Sequence, residues 1–372
     1  EVTIPDTVKS IGNYAFYSCS AMAELTIPDT TVTLGKYAFG ECDALRTVTL
    51  PVDYDFSQNP FGGSYAEAYT NGVTTIHYTY GQTGVMLDRT TSSGQAVYCG
   101  RSLEYVSRSS IQTIDFAEGI THIGNYLFSS GSRSLTTVVL PSTLKTIGDN
   151  AFYSCTALVD INLHEGIVSL GSRAFYNCDS LTKVTIPRSM TDIGEYAFNG
   201  CSSLDSITIP GSVTSIGSYA FCGCSSLSSV TIQDGVTSID NYAFSGCSSL
   251  SSITIPGSVT WIGDWAFYGD TSLVYATIPE GVVALSNHCF RGTGLRSVKL
   301  PRSLRSIGNA TFVDNLHLKE VTIPEGVESL GVDAFGNCKA LESITLPSTL
   351  KTISRGVFWK CCKLKEITLP AG

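Results

Sequence analysis

The chain has 372 residues, a formal net charge of −9 and 15% charged side chains, a composition without the basic stripe that nucleic-acid binding requires. It contains no run of about 18 apolar residues, and so no candidate membrane-spanning helix. Length alone would suggest two or three globular domains, but an internal repeat overrides that count and assigns residues 1–372 to one domain.

The chain opens inside a short alternating segment, Glu1-Val2-Thr3-Ile4-Pro5, and the first two of thirteen regularly placed phenylalanines follow at Phe16 and Phe39. The others are Phe128, Phe152, Phe175, Phe198, Phe221, Phe244, Phe267, Phe290, Phe312, Phe335 and Phe358, almost every adjacent pair 23 residues apart. A period of that length means that each unit is one supersecondary turn, which buries its apolar face only by stacking on its neighbours. The 89 residues from Phe39 to Phe128 are close to four periods. Phe61 takes the Phe position of one coil there, and Tyr105 that of another, with Ile111, Ile114 and Phe116 at the regular offsets after it. Val73, Ile76 and Tyr78 make a degenerate strand between them. Residues 51–110 are therefore degenerate coils with insertions near 62–72 and 79–96. The second insertion carries Gly81, Gly84 and Gly94 among Thr and Ser, which suits a protruding loop or hairpin.

The regular coil is clearest over residues 204–226. Ser206-Ile207-Thr208-Ile209 alternates polar and β-branched apolar residues, the pattern of a short strand with one buried face, and Pro210 ends it. Val213 and Ile216 belong to a second short extended segment closed by Gly217. Ala220, Phe221 and Cys224 then fall at spacings of three and four, which predicts a single turn of α-helix or 3₁₀-helix. The expected fold is a right-handed, β-rich solenoid of about fifteen 23-residue coils with short parallel strands and single helical or 3₁₀ turns. At 4.7–4.9 Å per rung, sixteen strands would extend on the order of 75 Å. The chain closes just after another strand, Ile367-Thr368-Leu369-Pro370. Neither end carries a polar capping unit or a signal peptide, so a segment of a longer protein is expected.

Nine of the thirteen cysteines (Cys19, Cys42, Cys155, Cys178, Cys201, Cys224, Cys247, Cys338 and Cys361) occupy one column, three residues after the Phe. In-register side chains point the same way, which is poor disulfide geometry, so reduced packing thiols are expected. Where Cys is missing the column holds Asp270, Thr293 and Asn315. Cys99, Cys289 and Cys362 remain as potentially reactive thiols if exposed. The five histidines are scattered, with no H-x-x-x-H spacing, and no G-x-S-x-G elbow or phosphate loop occurs. No nucleophile has both a base and an orienting group beside it. The expectation is a non-enzyme with no cofactor, no metal and no catalytic residue.

The unit L-x-x-V-T-I-P-x-x-V-T-S-I-G-x-x-A-F-x-x-C, as it stands from Leu204 to Cys224, closely resembles the BspA-type, or Treponema-type, leucine-rich repeat. The resemblance covers nearly the whole chain, departing from the pattern at Phe61, at Tyr105, in the insertions, and where Leu127, Cys289, Thr311 and Val357 replace the Ala before Phe. It implies a secreted or surface-exposed adhesin-like protein that meets host or neighbouring-cell surface proteins, extracellular matrix or glycans. It carries over no catalytic residues, and a fold by itself does not fix a function.

Function then has to be read from surface columns. An aromatic column gathers Tyr14, Tyr37, Tyr126, Tyr196, Tyr219, Tyr242 and Trp265, with Tyr17, Tyr153, Tyr176, Tyr268 and Trp359 just after the Phe. Either these rings anchor a protein or glycan partner, or each stacks on the next and shields the core edge. The candidate binding surface is Tyr196, Tyr219, Tyr242 and Trp265, together with Tyr78, Tyr80 and Tyr98 around the second insertion. A threonine file on the first strands (Thr208, Thr231, Thr254) reads as cross-strand stacking or as a hydroxyl array for an ordered solid such as ice or crystalline polysaccharide. Residues 189–290 hold eight acids and no Lys or Arg, whereas from Arg291 onward there are twelve bases and seven acids. That reversal is either drift in solvated positions or a basic patch for an anionic partner. The alternative to recognition is a stalk that positions another domain of the parent chain.

Overall fold

The structure, a computed structural model, describes residues 2–31, 33–51, 75–79, 111–128 and 132–368. The chain forms two compact units, Glu1–Leu181 and Thr182–Gly372. Among the described residues the regular elements are all short strands, in two files that alternate along the sequence.

In the first unit one file is the parallel sheet Val2–Thr3, Glu24–Thr26, Thr47–Pro51, Thr75–Thr79, Thr113–Phe116 and Thr137–Val139, each strand beside the next. The second file pairs Ser10–Ile11 with Thr33–Leu34, and His122–Ile123 with Thr146–Ile147 and then Ser169–Leu170. Thr75–Thr79 confirms the degenerate strand expected around Ile76, and it takes a full rung: Ile76 pairs with Val48 on one side and Ile114 on the other. The 62–72 insertion, the second insertion beyond Thr79, Phe61, Cys99 and Tyr105 lie outside the described residues.

In the second unit the same plan is more regular. Lys183–Val184, Ser206–Ile209, Ser229–Ile232, Ser252–Thr254, Tyr275–Thr277 and Ser297–Lys299 follow one another in a parallel sheet. Glu320–Thr322, Ser343–Thr345 and Glu366–Thr368 form a further run. Register is kept residue for residue, with Ile207 opposite Val230 and Ile209 opposite Ile232. Because side chains alternate across a strand, this register turns every isoleucine of the pattern inward and every Ser and Thr outward. Among the described residues the fold is thus the expected parallel-strand solenoid, with about thirteen regular coils where about fifteen were expected over the whole chain.

A dry interior follows from the columns. Phe152, Phe175, Phe198, Phe221, Phe244, Phe267, Phe290, Phe312 and Phe335 are all fully buried. Within each unit they stack ring on ring: Phe198–Phe221 at 5.5 Å and 6°, Phe152–Phe175 at 5.3 Å and 5°. Removing one such ring would cost about 3–5 kcal/mol, because no other part of a 23-residue coil can fill the space.

The segment around each Phe is not a helical turn. Hydrogen bonds of the i to i+3 kind are present, from the amide of Ala197 to Gly194, Asn199 to Tyr196 and Cys201 to Phe198, and these are what the spacing of three anticipates. The backbone, however, swings to positive φ two residues before and two residues after the Phe: Tyr196 at 58° and Gly200 at 74°, Tyr219 at 59° and Gly223 at 74°. A right-handed helix cannot contain such residues, so the corner is a chain of β-turns. Its alternate amides, freed from local bonding, reach the next coil instead: Tyr196 to Ser218 O at 2.9 Å, Phe198 to Ala220 O at 2.9 Å and Gly200 to Cys222 O at 2.8 Å.

One coil is a residue short. Tyr275 pairs with Ser297, a step of 22, where Ser252 pairs with Tyr275 at a step of 23. The missing residue falls between Thr293 and Leu295, and the bend is cut by Gly294, where a Cβ would lie 2.2 Å from the carbonyl oxygen of Thr271.

Candidate functional site

The aromatic column sits on the turn corner, at the first positive-φ position of each coil: Tyr14, Tyr37, Tyr126, Tyr196, Tyr219, Tyr242, Trp265 and His288 all lie between 54° and 61°. A left-handed conformation costs a non-glycine residue about 1–2 kcal/mol. Two compensations are visible. From Tyr196 to His288 each amide is bonded to the next coil and each carbonyl accepts an amide three residues on, as Tyr219 does with Asn241 O and Cys222 N. The rings also stack: Tyr196–Tyr219 at 4.5 Å and 5°, Tyr219–Tyr242 at 4.4 Å and 7°, Tyr242–Trp265 at 5.7 Å and 6°, and Trp265–His288 at 3.8 Å and 8°. Such a pair contributes about 0.5–1.5 kcal/mol, so stacking roughly offsets the strain.

The structure therefore brings Tyr196, Tyr219, Tyr242 and Trp265 together in one half-buried ladder, which sequence reasoning left open as either anchor or stack. Stacking is what the rings do. Interior members have both faces covered, and Tyr268 closes the edge of Trp265 at 4.9 Å and 82°. What remains accessible is a row of ring edges and hydroxyls. Burial first, then the neighbouring Tyr242 and Tyr196 phenols, push Tyr219 above the ordinary phenol range. His288, which ends the row, is lowered by burial and then by Arg291. Arg291 itself lies 5.7 Å from the Trp265 ring centroid and pairs with Asp314 at 3.3 Å. In the first unit Tyr153 and Tyr176 stack at 4.8 Å and 1°. Tyr78 belongs to the strand Thr75–Thr79; its side chain, and Tyr80 and Tyr98 altogether, lie outside the described residues.

Behind the turn seven of the nine column cysteines are buried, as the spacing implied, whereas Cys19 at one end is exposed and Cys361 at the other half-buried, and the described cysteines are free thiols. Buried members donate to the carbonyl of the Phe one coil back: Cys224 to Phe198 O at 3.2 Å, Cys247 to Phe221 O at 3.3 Å, Cys178 to Phe152 O at 3.3 Å. Burial raises Cys224 and Cys247 well above the usual thiol range and Cys42 to about 11, so these thiols are inert. Cys289 is likewise buried, whereas Cys362 is exposed. Among the described residues no three His, Cys, Asp or Glu side chains gather at metal-binding separation.

One set of residues that sequence reasoning missed is an amide-capping ladder three residues before the Phe. Asn241 Oδ1 accepts the amide of Asp264 at 2.8 Å, Asp264 Oδ1 that of Asn287 at 2.8 Å, and Asn287 Oδ1 that of Asn309 at 2.9 Å. Its sequence trace was the recurrence of Asn and Asp after the turn glycine. The threonine file is present and exposed, with Thr208 opposite Thr231, Thr231 opposite Thr254 and Thr254 opposite Thr277. Beside it Thr231, Gln233, Thr254 and Pro256 border a shallow, open depression of about 650 Å³.

The sequence matches the family described as BspA type Leucine rich repeat region, in 6 copies, over residues 1–69, 105–205, 191–317 and 305–372. Among solved structures, a leucine-rich repeat protein from Bacteroides ovatus is 25% identical over 98% of this chain and 86% of its own, with a TM-score of 0.61. A leucine rich cell surface protein from Faecalibacterium prausnitzii is 29% identical over 67% of this chain and 82% of its own, TM-score 0.42. A T. pallidum leucine rich repeat protein is 32% identical over 50% and 77%, TM-score 0.37. No curated protein matches the sequence significantly.

Proposed function

The chain belongs to the BspA-type leucine-rich repeat family, and on that premise we propose that it is a non-catalytic recognition module of a secreted or cell-surface, adhesin-like protein, binding a protein or glycan of a host or neighbouring cell. The observation that carries this reading is the aromatic ladder. Five rings from Tyr196 to His288 are held in a backbone conformation that costs each of them strain, at a corner where Asn150 and Asp333 occupy the same position elsewhere. The core does not need aromatics there. A continuous edge of rings and hydroxyls offers large, rigid contact area at little entropic cost, which is the chemistry of interface anchors.

The test is solid-phase binding of the chain to a panel of extracellular-matrix proteins and glycans. Tyr219→Asn together with Tyr242→Asn keeps residues that tolerate positive φ and removes the ring edges. Saturable binding that the pair weakens about tenfold or more supports the reading. Deletion of residues 79–96 asks separately whether the insertion contributes. The second reading, a stalk positioning another domain, is favoured by the covered ring faces, since rings used up in stacking already have a structural role. Absence of saturable binding across the panel would leave the stalk.

A further inference from the structure

The outward face of the first strand file changes character within the second unit. Over three rungs its outward pairs are hydroxyls, Ser206/Thr208, Ser229/Thr231 and Ser252/Thr254. The next rung exposes Val274 and Tyr275, 40% and 46% accessible. Register sets Tyr275 opposite Ser297 and Thr277 opposite Lys299, and Arg296 follows Val274, its amide bonded to the Val274 carbonyl at 2.9 Å. Lys319 comes next, its amide on the Arg296 carbonyl at 3.5 Å. An unstacked tyrosine and an exposed valine thus lie beside three exposed cations.

These cations are unspent. Other bases of the same region are engaged: Arg291 with Asp314, Arg305 with the carbonyls of Arg302 and Leu304, Lys351 with Glu328. Arg296, Lys299 and Lys319 make no side-chain hydrogen bond or ion pair among the described residues, and Tyr275 has no ring partner. From Gly281 to Val313 the sequence holds five Arg and Lys and no Asp or Glu, so no acid of that stretch neutralises Arg296 or Lys299; Lys319 lies beyond it, next to Glu320 and to Glu342 of the following coil, whose amide bonds the Lys319 carbonyl at 2.8 Å.

We infer that this sheet face, centred on Val274, Tyr275, Arg296, Lys299 and Lys319, docks an acidic segment of a partner polypeptide. Charge complementarity selects an anionic partner and sets its rate of encounter, while the exposed ring and valine offer an anchor for an apolar side chain. Glu320, beside Lys319 on the outward face, repels a densely and uniformly charged polyanion, and a polypeptide can set a neutral residue opposite it. That distinction favours a peptide over a sulfated glycan. The inference rests on the recognition reading but uses a different face from the aromatic ladder, so each can fail alone.

The experiment is fluorescence anisotropy of the whole chain with a labelled peptide alternating Glu and Leu, against its Gln/Leu counterpart and against dextran sulfate. Saturable binding of the Glu peptide is expected, falling as salt is raised, with the Gln peptide bound at least about tenfold more weakly. Arg296→Glu with Lys299→Glu should weaken the Glu peptide by about tenfold or more, and Tyr275→Ser should weaken it with the charges intact. Tyr219→Asn with Tyr242→Asn should leave it unchanged. Unaltered thermal melts establish that each variant is folded. Equal affinity of the charge-reversed chain, no saturable binding of the Glu peptide, or tighter binding of dextran sulfate with the same sensitivity to the variants would overturn the inference. Loss of matrix or glycan binding in the ladder variant alone would bear only on the recognition reading.

Discussion

Two stretches of one buried column invite comparison: Cys201, Cys224 and Cys247, then Asp270, Thr293 and Asn315. All six are fully or almost fully buried at equivalent corners. Every corner presents a Phe carbonyl with capacity for one more hydrogen bond, and the thiols supply it weakly, as Cys224 does to Phe198. Asn315 supplies it more strongly, its amide nitrogen donating to Phe290 O at 2.8 Å and to Phe312 O at 3.0 Å. Thr293 gives its hydroxyl proton to the Asn315 side-chain oxygen, with Phe290 O at 3.3 Å. Asp270 does neither. Both of its carboxyl oxygens are buried without a partner, the amides of Cys247 and Gly246 acting on them from outside bonding geometry. The column therefore tolerates any small side chain that can donate, and a carboxyl meets that condition only while it carries a proton.

Placing the defect in the thiol stretch should have the largest effect. Cys224→Asp is expected to destabilise the fold by about 3–5 kcal/mol at neutral pH, read by urea unfolding; a loss below 1 kcal/mol would show that the column accepts a carboxyl anywhere. The reverse exchange, Asp270→Cys, should stabilise by about 1–3 kcal/mol at pH 7. Burial holds the Asp270 carboxyl well above its ordinary range. The folded chain then keeps a proton the unfolded chain releases, so stability falls as pH rises from about 4 toward the folded-state value. Unfolding midpoints of the parent chain and of Asp270→Cys should accordingly converge toward pH 4 and separate as pH rises, and parallel curves would refute the assignment.

A smaller effect of opposite sign is expected from His288, which replaces Tyr at the end of the ring ladder. Its folded value is lowered by burial and by Arg291, so the unfolded chain binds the proton first. Stability should fall as pH drops below about 6.5, and His288→Asn should flatten that limb by a fraction of a kcal/mol. The smallest change belongs to Tyr219→Asn. Relief of the left-handed strain and loss of two stacking contacts oppose each other at about 1–2 kcal/mol each, and a melt shifted by several degrees either way would show that one term dominates.

The columns that build the interior were legible because each inward position repeats one residue type: Phe221, Cys224, Leu227, Val230 and Ile232 recur with the period and no other packing satisfies them all. The turn was misread for an equally physical reason. Tyr-Ala-Phe-x-x-Cys has the spacing of a helical turn, and the contrary sign lay in Gly200, Gly223, Gly246 and Gly269 two residues after the Phe, with Asn177 and Asn337 at the same place in other coils. Glycine and asparagine are what a left-handed position selects. Tyr219, two residues before the Phe, gives no such sign because tyrosine disfavours the conformation it adopts. Of the surface, the ladder was visible as a column but its stacking was not, since spacing fixes which rings are neighbours and leaves their planes undetermined. Tyr275 belongs to the column beside the threonine file, opposite Ser252 on one rung and Ser297 on the next, and only that register made it the neighbour of unpaired cations.

The shortened coil at Gly294 bears on how such a chain changes length. The corner before it keeps its full set of inter-coil bonds, Phe290 to Thr311 and Gly292 to Val313 among them, and the strand after it returns to register at Ser297. The deletion is absorbed in the bend between, at the one residue whose missing Cβ lets the backbone pass close to Thr271. Indels at this bend are thereby decoupled from the rest of the winding, making it a natural grafting point for foreign loops, provided that glycine keeps the inside lane.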